Sequence, residues 1–90
     1  MPTYTTEEQA MIADGDLAET ALKTPAFASA VNTLSEQLAN LIVGTNPDET
    51  EKRERLYYIH TGLRELVAIL NQRVALKQGL LSRADEQENE

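Results

Sequence analysis

The chain has no cysteine and a single histidine among its 90 residues. Without cysteine there are no disulfide staples and no thiolate metal sites, and nothing argues for an oxidising compartment. Long apolar runs are also missing. The longest, Leu66-Val67-Ala68-Ile69-Leu70, falls far short of the ~20 residues a membrane-spanning helix needs. The start, Met1-Pro2-Thr3-Tyr4, has neither the basic residues nor the apolar stretch of a secretory signal. The expectation is one soluble domain that is not secreted by a signal peptide, either intracellular or a component of a soluble particle. A chain this short buries a limited core, and small helical proteins often compensate by associating.

The net charge of −7 opposes non-specific attraction to nucleic acid or anionic membrane. Its distribution is uneven. Residues 1–46 carry six acids and one base, and Asp48, Glu49 and Glu51 add to them. Residues 52–83 carry seven bases and two acids, and the stretch from Ala84 to Glu90 is again acidic. A basic segment therefore lies between acidic ones.

Helix signals divide the chain. Thr5-Thr6-Glu7-Glu8 forms a capping-box pattern and predicts a helix over about 6–22, weakened by Gly15 within Asp14-Gly15-Asp16. Thr24-Pro25 is a firm start for a second helix, with Thr24 as cap and Gly44 as its stop, giving about 25–43. Along it Phe27, Val31, Leu34, Leu38 and Leu41 keep heptad spacing. Asn46-Pro47-Asp48-Glu49 starts a third helix, expected over about 47–78 and ending near Gly79. Its stripe is Leu56, Ile59, Leu63, Leu66, Val67, Leu70 and Val74. Gly62 offers a place for a neighbouring chain to come close. The polar, acidic stretch 82–90 is expected to be a flexible tail on a single helical domain, 1–81.

Two matched stripes joined by a short loop imply an all-α antiparallel hairpin, 25–43 against 47–78, with a shorter N-terminal helix. The third helix is longer than the second by roughly a dozen residues. Its end overhangs and must be covered by the first helix or by another subunit. Sustained heptad spacing favours an oligomer, with Leu63, Leu66, Leu70, Arg73, Val74, Lys77, Leu80 and Leu81 as candidate interface residues.

No motif carries chemistry. His60 lies at the edge of the apolar stripe, and the sequence places no carboxylate or nucleophile beside it. The pairs Glu49–Arg53 and Glu51–Arg55 have the i,i+4 spacing of surface ion pairs. No calcium loop, zinc-binding helix or phosphate loop is present. The expectation is no enzyme, no cofactor and no metal. The bases of the third helix scatter around its axis, which suits a protein contact better than a nucleic-acid groove.

Taken together, Leu22-Lys23-Thr24-Pro25-Ala26-Phe27, Leu34-Ser35-Glu36-Gln37-Leu38, Asp48 through Tyr57, and Leu63-Arg64-Glu65-Leu66 resemble small helical tailed-bacteriophage proteins encoded near virion-assembly genes. The resemblance spans roughly residues 21–70 and implies no catalytic residue. It implies three competing roles: a virion or assembly accessory protein acting through helix–helix contacts, a small terminase-like DNA-packaging subunit, or a host-directed inhibitor such as an anti-CRISPR protein. The heptad stripes favour the first, with partners among copies of the chain or other virion proteins. The scattered bases count against the second, and the acidic first half permits the third.

Overall fold

The computed structural model describes residues 3–88, and side chains through residue 86. It contains three helices: α1 (Thr6–Lys23), α2 (Pro25–Val43) and α3 (Thr50–Glu88). Among the described residues there is no strand. The molecule is a rod of 63 × 24 × 21 Å.

The capping box at the start of α1 is complete. The Glu8 amide donates to Thr5 Oγ1 at 3.1 Å, and the Thr5 amide donates to Glu8 Oε1 at 3.0 Å. α1 does not break at Gly15. It ends at Thr24, a single extended residue (φ −70°, ψ 117°). Proline at the next position disfavours the helical conformation there, then suits the first turn of α2. Thr24 does not cap α2 with its side chain, as the sequence suggests. Its hydroxyl donates back to the Thr20 carbonyl at 2.7 Å, closing α1 instead.

The turn into α3 also differs in detail. Residues 47–49 form a turn, and the helix begins at Thr50. The reciprocal half of the Asn-x-x-Glu box is present, with the Asn46 amide donating to Glu49 Oε1 at 2.9 Å. Arg53 does not pair with Glu49. It bonds back to the loop, from Nε to Thr45 Oγ1 at 2.9 Å and from Nη2 to the Asn46 carbonyl at 2.8 Å. That clasp fixes the hairpin angle. Glu49 lies instead 3.7 Å from Lys52.

α1 and α2 follow one another along α3, which packs against both. Together they match its length, so the overhang expected from the sequence is covered by α1 within the chain. α3 itself runs some ten residues beyond its expected end. It passes through Gly79 without a break and remains helical to Glu88, where a flexible tail was expected from residue 82; residues 89 and 90 lie outside the described residues. The cause is tertiary. Ala84 is 5% exposed, and Arg83 forms an ion pair with Glu8 at the start of α1. Burial and pairing outweigh the low intrinsic propensity of a polar segment.

The core is thin. Among the described residues the buried hydrophobic ones are Ala18, Leu38 and Ala84, and no large side chain is fully buried. α1 and α3 approach closely at Gly15, which is buried. A Cβ there would strike Lys77 Cβ and would lie 2.9 Å from the Arg73 carbonyl oxygen. Gly62 shows the reverse, since a Cβ there meets nothing within 4 Å.

Two predictions follow from this packing. Gly15→Ala lowers the thermal midpoint despite the better helix propensity of alanine, because overpacking costs about 1–3 kcal/mol. Within the single chain, Gly62→Ala stabilises by up to about 1 kcal/mol. Circular-dichroism melts of the two variants should move in opposite directions. Separately, Leu63→Asp places a charge in the half-buried α2–α3 seam and should cost about 2 kcal/mol or more. Unchanged denaturant stability would refute the seam.

Candidate interaction surface

The residues of α3 that face α1 and α2 keep a strict heptad. Arg53, Leu56, His60, Leu63, Val67, Leu70, Val74 and Lys77 are all half-buried, spaced by threes and fours. On α2 the inward positions are Ala28, Val31, Ser35, Leu38 and Ile42, continued by Thr45 in the loop. This is not quite the expected seam. Leu34, Leu41, Ile59 and Leu66 are exposed. α2 carries apolar residues on two adjacent strips, and a single partner helix can take only one of them.

The displaced residues share a place in the fold. Each stands one position before an inward residue: Leu34 before Ser35, Leu41 before Ile42, Ile59 before His60, Leu66 before Val67. The same holds for Ile69 before Leu70 and Leu76 before Lys77. In an antiparallel pair, residues offset in the same sense from the seam lie on the same side of it. The six therefore form one apolar flank along the rod, each between 41% and 52% exposed. The opposite flank is more polar, a shallow groove lined by Asn32, Ser35, Arg64 and Asn71 with Val31 and Ala68.

The candidate residues read from the sequence thus divide. Leu63, Leu70, Val74, Lys77 and Leu80 turn inward and are half-buried, whereas Leu66, Arg73 and Leu81 are exposed. Sequence reasoning did not select Leu34, Leu41, Ile59, Ile69 or Leu76 as surface residues. Two parallel strips one residue apart on α3 would have been the signal.

Lys77 occupies an inward heptad position, where a charge needs partners. Its stem crosses Gly15, and its ammonium lies 2.6 Å from Asp16 Oδ1 and 2.7 Å from Glu19 Oε2. Lys23 reaches the other oxygen of Glu19 at 2.6 Å. The hydrogen bonds from Lys23 and then Lys77 pull the Glu19 carboxyl down to about 2. The hydrogen bonds Lys77 donates to Asp16 and Glu19 raise its own pKa above the ordinary lysine range. At the end of the rod Glu8 is also lowered, first by the Thr5 amide and then by Arg83.

Most of the basic residues are therefore engaged. Lys23, Lys52, Lys77 and Arg83 form ion pairs, and Arg53 holds the hairpin loop. Arg55, Arg64 and Arg73 make no ion pair among the described residues. Arg64 lies on the polar flank, and Arg55 and Arg73 stand about five turns apart on the apolar one, so these cations do not form a cluster. His60 sits in the seam. Among the described residues no three acids or histidines cluster as a metal site would require. No described helix is long and apolar enough to cross a membrane.

The α1–α3 lock has a defined pH dependence. A carboxylate lowered in the folded state contributes stability that is complete above its ordinary pKa of 4.5 and is lost as pH falls toward about 2. The raised lysine contributes below its ordinary 10.5 and loses that contribution as pH rises through its folded value. Thermal melts should therefore show a fall in midpoint between pH 4.5 and pH 2. Glu19→Gln should flatten that fall, and an unchanged acid limb in this variant would exclude the cluster as its source.

Compared with family models, with curated proteins and with solved structures, the chain matches none.

Proposed function

We propose that this chain is a non-enzymatic interaction protein that works through helix–helix contacts along one face of its rod. The observation that carries this reading is the apolar flank. Six large side chains in line is more than the scattered surface apolars of an ordinary monomer, and contiguous exposed patches mark contact sites. Their heptad spacing suits a helical partner. The engagement of most cations within the chain favours a protein partner over nucleic acid.

The resemblance to small tailed-phage proteins gives the reading a setting, that of a virion or assembly accessory component. In that role a thin-cored rod is completed by what it docks against. Mass spectrometry of purified particles of the virus encoding the chain should then detect it in fixed stoichiometry. Particles made with Leu66→Asp should lack it, since a charge in the flank leaves the hairpin seam intact. Absence of the wild-type chain from particles would overturn the virion role. Equal incorporation of the variant would overturn the flank as the working surface.

A further inference from the structure

We infer that the occupant of the apolar flank is a second copy of this chain, docked antiparallel about a two-fold axis through the middle of α3. The inference rests on reading the flank as a contact surface and specifies its partner.

The flank of α3 is itself a heptad strip: Ile59, Gly62, Leu66, Ile69, Arg73 and Leu76, with steps of three and four. Laid against itself in reverse, it is self-complementary. Leu66 meets Ile69 of the second copy, Ile59 meets Leu76, and Gly62 meets Arg73. The last pairing is the informative one. Gly62 is open, with nothing within 4 Å of where a Cβ would stand. Arg73 is exposed and makes no ion pair among the described residues. The long side chain of one copy fills the gap above the glycine of the other. Glu65, one turn from Gly62 and exposed, lies where it can receive the guanidinium. The two-fold axis repeats this fit twice.

Other registers are worse. Sliding one helix by a heptad in one direction sets Arg73 opposite Arg55 of the other copy. Sliding it in the other sets Arg73 opposite Ile69. A parallel pairing in register sets Arg73 against itself. Like charges facing each other disfavour wrong partners strongly. Of these registers only the first places every apolar residue of the strip against another and gives each arginine a space and an acid.

The elongated chain has the surface such a contact needs. A compact monomer of 10.0 kDa exposes about 5,200 Å², whereas this chain exposes 6813 Å². A standard interface removes ~800 Å² from each partner, so the excess is ample for one.

The test uses the full chain in sedimentation equilibrium and light scattering from about 1 to 100 µM. The expected mass is twice 10.0 kDa. Leu66→Asp should bring it to the single-chain mass with helical circular dichroism retained. Gly62→Trp should do the same. It blocks the place of Arg73, and the open space around Gly62 within the chain spares the fold. Arg73→Glu should weaken association by roughly tenfold or more, and the double change Glu65→Arg with Arg73→Glu should restore it. A wild-type monomer at 100 µM overturns the dimer. So does a dimer indifferent to Gly62→Trp and to the charge exchange, because its contact then lies elsewhere. A monomeric wild type whose incorporation into particles is still lost in Leu66→Asp would overturn the dimer alone and leave the flank as a contact for another protein.

Discussion

The crossing of Lys77 over Gly15 is the contact on which the rest of the structure depends. Glycine removes the side chain that would hold α1 and α3 apart, and the lysine stem lies in the space it leaves. The ammonium then reaches Asp16 and Glu19 on α1. A long amphipathic side chain can serve a seam in this way because its stem is apolar and its head is not. With α1 held here, the far half of α3 has a partner. Without it, the helix would run on past the end of α2 with nothing to pack against.

Much of this architecture was legible in the sequence, and two of the exceptions share a cause. Thr5 and Glu8, Pro25, and Gly44 are local signals, and the helix limits they imply hold to within a residue or so. The end of α3 is different. Gly79 and the acidic residues after it argue locally for a stop. Contacts with α1, a segment more than sixty residues away, decide otherwise. Gly15 was read as a weakness of α1, since propensity registers only its cost. Its value lies in a neighbour that no local window contains.

The displaced seam is a subtler case. Heptad spacing identified the right helices and the right pairing, yet Leu34, Leu41, Ile59 and Leu66 face out. Both α2 and α3 carry apolar side chains on adjacent strips, so the pattern permits more than one rotation about each helix axis. Thr45, Ile42 and the Arg53 clasp select one rotation by fixing how the hairpin turns. The candidate surface is what that selection leaves over. It could not be separated from the core by pattern alone, because both have the same composition and spacing.

The serial arrangement of α1 and α2 on one long helix has a consequence for how the chain reaches its fold. The α2–α3 hairpin closes through a six-residue turn and can form early, because little chain entropy is lost in bringing its arms together. The α1–α3 contacts join residues 58 and 75 positions apart. They become favourable only once a straight α3 exists to receive them. Loop-closure entropy therefore favours the hairpin before the α1 contacts, which span most of the chain.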